Sequence, residues 1–317
     1  MNVNSHKEMI SLVIQDRFRE TPKSIERISI GICNEVYRLN LRDQDIIARL
    51  SPHDKFLMGS HDHIPKFKAL GVRVPDILAE DYSRSLIPLS YQILSVIEGQ
   101  DLGQVIETLS DDELKLLAKE VASIFNKVKS IPTTNKFGVV WGGGHDELSD
   151  TWTERMRIWI EESKLRGHST GIMDEDMLKI ADNLFERYRP YFDTVKPTTY
   201  YGDICSKNIM IHQGKFSGLV DLDGLTQGDP LEAIGRIKLS WHGTHYGEIY
   251  SGAIMDELNH RPEERKLATM YALLNMISWA CENGIQFNQN TKTTIDAEKQ
   301  KQDKEIIFCL AEELNLN

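Results

Sequence analysis

The apolar positions divide the chain into a strand-rich beginning and a mainly helical remainder. Near the N-terminus, Met9, Ile10, Val13, Ile14 and Phe18 recur at three- and four-residue spacing, which predicts an amphipathic helix. Short β-type runs separated by polar turns then follow, and they predict strands. These runs cover residues 29–31, 36–39, 46–50 and 90–97.

After residue 99 the pattern becomes mostly helical. Ser110 and Glu113 form a capping box, which predicts that a helix begins there. Apolar stripes and apolar stretches predict helices at 114–128, 152–160, 177–188, 267–281 and 306–314, the third of them ending at Pro190. We therefore expect an α+β protein with two lobes, a strand-rich lobe over 1–97 and a larger helical lobe over 98–317. Clefts between lobes are common ligand sites.

Composition narrows the class of protein only slightly. A chain of 317 residues is long enough for its core to divide in two. Lysine and arginine total 37 and aspartate and glutamate 48, so the net charge is 37 − 48 = −11. This balance argues against a dedicated nucleic-acid binder and against adhesion to anionic membranes. It favours a cationic ligand, or it serves only solubility.

The cysteines and the N-terminus indicate a cytoplasmic protein. Cys33, Cys205, Cys281 and Cys309 are far apart and form no C-x-x-C pair, so neither a zinc site nor a redox motif is expected. The first eight residues lack the apolar core of a signal peptide. The most apolar window, 267–281, is too short to span a bilayer.

The most informative segment runs from residue 200 to residue 221. Asp203 and Asn208 are five positions apart on a predicted loop. Two short apolar runs, 209–211 and 216–220, follow and are joined by a polar turn, which predicts a β-hairpin. Because a hairpin folds back on itself, Asp221 at its exit should return close to Asn208 at its entrance.

This arrangement of oxygen ligands indicates phosphoryl transfer. Carboxylate and amide oxygens suit Mg²⁺, which binds one or two protein ligands and completes its shell with water and phosphates. The remaining aspartate can accept a proton from a hydroxyl nucleophile, as in the catalytic loop of the protein-kinase fold. The alternative is structural, with Asp203 capping a turn and Asp221 ending a strand.

The same segment resembles a known family. Tyr201-Gly202-Asp203, Asn208, Val220-Asp221 and Gly228-Asp229-Pro230 together resemble the signature of the aminoglycoside phosphotransferase and choline kinase family, with Tyr201 in place of the usual histidine. The resemblance implies a protein-kinase-like fold that transfers phosphate from ATP or GTP to a small molecule, with Mg²⁺ as cofactor. It also implies that Asp203 is catalytic, that Asn208 and Asp221 hold the metal, and that Asp229 is structural.

The resemblance extends to the first third of the chain, where it implies a nucleotide site. Gly31 and Asn34 lie in what resembles the loop that covers the nucleotide, although one glycine and one asparagine are also typical of an ordinary turn. Arg49 stands where protein kinases carry a phosphate-binding lysine; alternatively, it is a surface arginine on an edge strand. The main chain at Ser95 and Ile97 would bind adenine, or would form only an interdomain strand.

The partner of Arg49 is not evident from the sequence. By spacing, the expected helix glutamate falls near His63, where Asp62 is the only carboxylate and Pro65 should disturb a helix. No spacing organises His53, His61 and His63 with a further ligand, so we expect solvated histidines rather than a metal site.

Several residues are candidates for the acceptor site in the helical lobe. Asp223 is either a second acidic group facing the cleft or a turn residue before Gly224, and the turn is slightly favoured. The glycine-rich stretch 141–147 forms either a lid or a surface loop. Beyond the metal site lie Arg236, Trp241, His242, His245 and Tyr246.

Three interpretations of the acceptor and of the activity remain. The acidic chain suits a polycationic aminoglycoside, and it also suits a choline-like cation or a neutral acceptor such as a macrolide, a sugar or homoserine. The chain could instead be a catalytically inactive kinase-like module, although Asp203, Asn208 and Asp221 are all present. A protein kinase is disfavoured because no A-P-E element follows Asp221.

Overall fold

The strand-rich beginning of the chain forms one antiparallel sheet. The computed structural model describes residues 3–29, 31, 33–288 and 290–316. The five strands lie in the order β1-β2-β3-β5-β4, and one helix precedes them and another follows β3. Their bounds are α1 (Val3–Phe18), β1 (Ser24–Ile28), β2 (Glu35–Asn40), β3 (Asp45–Ser51), α2 (Lys55–Ala69), β4 (Ile77–Asp81) and β5 (Ser90–Ser95).

The apolar faces of α1 and of this sheet form the first hydrophobic core. Ile10, Val13 and Ile14 of α1 are buried against Tyr37 and Leu39 of β2 and further sheet residues, as the spacing predicts. The predicted strand at residues 29–31 is wrong, because the strand lies earlier, at Ser24–Ile28. Ile30 and Ile32 lie outside the described residues.

The remainder of the chain is mainly helical. Besides the two strands of the predicted hairpin, it contains short strands that we did not predict. The helices are α3 (Leu102–Val105), a 3₁₀ turn (Ile106–Thr108), α4 (Asp111–Val128), α5 (Trp152–Thr170), α6 (Glu175–Phe192), α7 (Leu231–Ser240), α8 (His245–Glu257), α9 (Pro262–Ala280) and α10 (Ala297–Glu313). The strands are β6 (Gln100–Asp101), β7 (Phe137–Val140), β8 (Glu147–Ser149), β9 (Thr198–Tyr200), β10 (Ile209–His212), β11 (Lys215–Leu219) and β12 (Leu225–Gly228).

Two small sheets on a helical scaffold carry residues 200–223, which we call the catalytic segment after the role predicted for it. The sheet β11-β10-β6 holds the hairpin, and the sheet β8-β7-β12-β9 holds the chain on either side of it. The capping box at Ser110 and Glu113 is present, and the apolar stripes of α4 and α6 are buried. Pro190 does not end α6, which continues to Phe192. Within the described part of the chain, no helix is long and apolar enough to cross a membrane.

Helix α2 corrects two expectations. Pro65 lies inside it, and the helix nevertheless continues to Ala69. His63 is fully buried rather than solvated, and its Nδ1 lies 3.2 Å from the carbonyl oxygen of Leu222. That contact is possible only when Nδ1 carries the proton and donates it. Burial lowers the pKa of His63 to about 4, although the hydrogen bond to Leu222 acts in the opposite direction. The same hydrogen bond attaches α2 to the segment that follows Asp221.

His63 should make stability depend on pH. Between pH 6.5 and about 4, the unfolded chain protonates this histidine whereas the folded chain does not. The contribution is therefore fully present above pH 6.5, and the free energy of unfolding should fall by up to about 1.4 kcal/mol per pH unit below it. Urea unfolding of wild type and His63→Gln, each at pH 5 and pH 7, measures how much the free energy of unfolding changes with pH in the two proteins. If the free energy of unfolding changed equally with pH in both proteins, His63 would not be the cause of the pH dependence.

Candidate active site

The predicted hairpin is present and joins the two ends of the catalytic segment. Ile209 pairs with Leu219 and Met210 with Gly218, so the residues before and after the hairpin are neighbours. The amide of Val220 donates to the carbonyl of Asn208 at 3.0 Å. Asp221 therefore follows directly from a residue bound to Asn208, as the sequence predicts.

Asp203 is oriented by two side chains but stays accessible. Asn208 Nδ2 donates to Asp203 Oδ2 at 2.6 Å and to its carbonyl at 2.8 Å. Arg236 of α7 donates from NH1 to Asp203 Oδ1 at 3.0 Å and also pairs with Glu232, four residues earlier on the same helix. The Asp203 side chain is 40% exposed. It can therefore meet an incoming hydroxyl while both of its oxygens are held.

Tyr201 replaces the usual histidine with another hydrogen-bond donor. Its hydroxyl lies 3.0 Å from the carbonyl oxygen of Val220 and 2.9 Å from that of Asp221, and it can donate to either. Asp221 has a φ of 61°, a left-handed conformation that non-glycine residues adopt at a cost. Burial raises the pKa of Tyr201 far above its usual value, so the hydroxyl keeps its proton and helps to hold this conformation.

Arg49 is buried, not a surface residue, and its carboxylate partners come from the catalytic segment. NH2 donates to Asp223 Oδ2 at 2.5 Å and to Asp221 Oδ1 at 3.1 Å, while NH1 donates to Ser60 Oγ at 2.7 Å. Asp62, the carboxylate near the expected position, instead accepts from the amide of Gly143. The ion pair that the sequence leaves open therefore exists, but with a partner far along the chain.

Asp223 is not a turn residue. It lies in the link between β11 and β12, outside any assigned turn, helix or strand, and it is 6% exposed. Its carboxylate accepts from Arg49, from Ser60 Oγ at 2.5 Å and from Asn34 Nδ2 at 3.1 Å. Asn34, a predicted nucleotide-binding residue, thus contacts the catalytic segment directly. Gly31 has a φ of 90°, open space where a Cβ would stand, and a carbonyl that accepts from Asn290 Nδ2 at 2.7 Å.

The two predicted adenine-binding positions differ. Ser95 ends β5, and its amide already donates to the carbonyl of Asp76 at 2.9 Å. Ile97 lies in the link between β5 and β6, and no described residue forms a hydrogen bond with its main chain. Ile97 therefore keeps free backbone groups, whereas the N–H of Ser95 is occupied.

The residues present fit a magnesium ion that is completed by phosphates. Both hydrogen bonds from Asn208 to Asp203 use Nδ2, so the amide oxygen Oδ1 takes part in neither. Asp221 adds a carboxylate whose side chain is 41% exposed. No three His, Cys, Asp or Glu side chains of the described residues form a metal cluster by themselves, and Mg²⁺ needs only one or two protein ligands.

The cysteines near the site are protonated thiols. Cys33 is exposed, and the nearby carboxylates of Asp223 and Asp221 raise the pKa of its thiol. Burial, with Asp203 nearby, raises the pKa of Cys205 to about 12. Because the thiolate is the nucleophilic form, a covalent cysteine intermediate is disfavoured.

Of the acceptor-site candidates between residues 236 and 246, Arg236 contacts Asp203, the expected catalytic base. Trp241 packs edge-on against Tyr250, and His245 and Tyr246 contact Asp111 and Glu107. The stretch 141–147 packs against α2 through hydrogen bonds and a cation–π contact. This packing favours neither the lid nor the surface loop.

Sequence reasoning missed Glu282, just after α9. The positive charges of Arg166, Arg236, Lys207 and Lys299 act electrostatically on its carboxylate. Burial raises the pKa of Glu282. The ion pair of Arg236 with Glu232, by contrast, could have been predicted from the sequence. The two residues have i, i+4 spacing directly after Gly228-Asp229-Pro230. Glu282 carried no local signal.

Comparison with known proteins agrees with this geometry. Residues 24–267 match the model of the family described as "Phosphotransferase enzyme family". A search of curated protein sequences found no match.

Solved structures of aminoglycoside phosphotransferases share the fold. The GDP complex of wild-type aminoglycoside 2'-phosphotransferase-IIIa is 14% identical, with 99% of each chain covered and a TM-score of 0.72. The apo form of a thermostable mutant of aminoglycoside phosphotransferase APH(4)-Ia is 15% identical, covers 96% of this chain and 98% of its own, and has a TM-score of 0.69. The streptomycin–ATP–APH(2")-IIa ternary complex is 11% identical, with 98% and 96% covered and a TM-score of 0.65.

These likenesses show a two-part α+β fold of the protein-kinase-like type, and the family match covers most of the chain. The protein is therefore a phosphotransferase enzyme of the small-molecule kinase type, and it belongs to the phosphotransferase enzyme family, which includes the aminoglycoside phosphotransferases that the motif at residues 201–230 resembles.

Proposed function

We propose that the enzyme transfers the γ-phosphoryl group of ATP or GTP to a hydroxyl group of an aminoglycoside. The observation that carries this proposal is the accessible Asp203 carboxylate, held by Asn208 and Arg236 beside Asp221. In the reaction, a bond forms between the acceptor oxygen and the γ-phosphorus, and the bond from that phosphorus to the β–γ bridging oxygen breaks. Asp203 takes the proton of the acceptor hydroxyl.

The nucleotide binds in the cleft between residues 1–97 and 98–317. Gly31 and Asn34 approach its phosphates, Arg49 neutralises part of their charge, and the main chain at Ile97 contacts the base. The free backbone groups of Ile97 support this position. Ser95 contributes its carbonyl, because its N–H is occupied.

Asn208 and Asp221 would hold Mg²⁺, which neutralises phosphate charge when it is bound. The protein's own contribution is positional. Arg236 and Asn208 fix both oxygens of Asp203, so the base needs no reorientation when the hydroxyl arrives. Because the transition state is loose, positioning and charge stabilisation supply most of the rate enhancement.

We place the acceptor at the exposed carboxylate of Asp203, with Glu282, whose carboxylate is affected by the charge of Arg236, as a second contact. No described side chain forms a hydrogen bond with the carboxylate of Glu282, which leaves it free to accept from an ammonium or a hydroxyl group of the acceptor. Two structural relatives are complexes with an aminoglycoside, one with hygromycin B and one with streptomycin. An aminoglycoside as substrate would make the enzyme an antibiotic-resistance factor, and we place it in the cytoplasm, where nucleoside triphosphates are available.

The test measures nucleotide binding first and turnover second. Thermal shift with ATP or GTP and Mg²⁺ should show stabilisation, because a ligand that binds only the folded state raises its stability. Nucleotide consumption is then measured with aminoglycosides, a choline-like cation, a macrolide, a sugar and homoserine. Turnover confined to aminoglycosides supports the proposal, and turnover on another acceptor contradicts its substrate class. Binding without turnover on any acceptor indicates a kinase-like binding module.

A further inference from the structure

Arg49, Ser60 and Asp223 form a closed ring of hydrogen bonds. Arg49 donates to Ser60 Oγ at 2.7 Å and to both Asp223 oxygens at 2.7 and 2.5 Å, and Ser60 Oγ donates to Asp223 Oδ1 at 2.5 Å. All three residues are almost completely buried. Asp221 contacts Arg49 from outside this ring, and its side chain is 41% exposed.

The ring differs from the way in which protein kinases hold their phosphate-binding basic side chain. In protein kinases, a glutamate on the helix after the cation's strand holds the phosphate-binding residue. Here that helix is α2, and its position opposite Arg49 is a serine. We propose that Asp223, connected through Ser60, positions Arg49 in place of the helix carboxylate. This inference rests on the proposed phosphoryl transfer from a nucleotide.

The packing of α2 explains why a serine suits this position. A Cβ on Gly59 would lie 1.6 Å from the carbonyl oxygen of Asp223, so the helix is in direct contact with the backbone of the catalytic segment. His63, one turn later, donates to the carbonyl of Leu222. A hydroxyl spans the short distance between helix and segment, and the charge is supplied by Asp223 itself.

Burial separates the roles of the two aspartates. The Asp223 side chain is 9% exposed, so its pairing with Arg49 is permanent, whereas Asp221 is open to a metal ion and to phosphates. When Asp221 turns to the metal, Asp223 still compensates the buried guanidinium. Without Asp223, the remaining carboxylate partner of Arg49 is Asp221, and the guanidinium then competes with the metal for it. Asp223 is therefore a positioning residue that keeps the metal ligand free.

A double-mutant cycle tests whether Asp223 keeps Arg49 away from the metal ligand. It measures metal binding and requires no turnover. The concentration of free Mn²⁺ at half-saturation is measured by electron paramagnetic resonance, with a non-hydrolysable ATP analogue at saturation. The proteins are wild type, Asp223→Asn, Arg49→Met and the double variant. We expect Asp223→Asn to raise the half-saturating Mn²⁺ concentration about tenfold when Arg49 is present, and by less than about threefold when Arg49 is replaced. Asp45→Asn, which removes the partner of Arg38 at the far end of β3, is the control and should change nothing.

Each other outcome is decisive. An equal rise in both backgrounds would make Asp223 itself a metal ligand and overturn the inference, and so would no rise with Arg49 present. If Asp223→Asn does not fold, Ser60→Ala replaces it, with an expected rise of about threefold that depends on Arg49. The absence of that rise also overturns the inference. Failure of the wild type to bind the Mn²⁺–nucleotide complex would instead contradict the proposed function.

Discussion

Asp203→Ala is expected to lower kcat by about 10²–10⁴-fold while nucleotide binding stays measurable. The substitution removes the group that accepts the proton of the acceptor hydroxyl. It leaves Asn208 and Asp221 in place, and Arg236 keeps its second partner, Glu232. Steady-state turnover, together with the dissociation constant of the nucleotide from calorimetry, separates the two effects.

Asp112→Ala is the matched control for Asp203→Ala. Its side chain is 95% exposed on α4 and, among the described residues, pairs with Lys115 at 4.0 Å, so kcat should not change. A turnover of Asp203→Ala close to that of wild type would show that another group accepts the proton. Loss of nucleotide binding together with turnover would show that the substitution acts through the fold.

Gly59→Ala is expected to cost about 3 kcal/mol or more of stability and most of the activity. The new methyl group would lie 1.6 Å from the carbonyl oxygen of Asp223 and 2.7 Å from that of Trp141, both of them main-chain atoms. Because a backbone cannot move aside as a flexible side chain does, α2 must shift away from the catalytic segment. That shift breaks the contact from Ser60 to Asp223 and releases Arg49.

Gly252→Ala on α8 is the matched control for Gly59→Ala. It also lies in a helix, but apart from its chain neighbours and the backbone of its own helix, no atom of the described residues stands within 4 Å of its added Cβ. Alanine is the better helix former, so this variant should gain up to about 1 kcal/mol. Urea unfolding of both variants measures the contrast. A stability of Gly59→Ala similar to that of Gly252→Ala would contradict the close packing of α2.

The sequence predicts the parts of the site that depend on local pattern. The hairpin follows from two apolar runs and a short polar turn, so the meeting of Asn208 with Asp221 is predicted correctly. The capping box of α4 and the stripe of α1 are equally local. The family motif adds the expected fold, and the structural comparison confirms it.

The remaining parts depend on contacts between distant segments. Arg49 and Asp223 are 174 residues apart, and no periodicity relates them. His63 looks like a surface histidine until α2 packs against Leu222. Pro65 and Pro190 were expected to disturb or end helices, but a single missing hydrogen bond is outweighed by the buried apolar faces of α2 and α6.

In the proposed reaction, Asp203 accepts the proton of the acceptor hydroxyl as the phosphoryl group is transferred to it. Phosphorus NMR of the reaction with hygromycin B or streptomycin tests it most directly, because it identifies the product. We expect one new phosphate monoester on the acceptor for each nucleoside diphosphate that the wild type forms, and none with Asp203→Ala. Release of inorganic phosphate alone, or the same monoester from Asp203→Ala, would contradict it.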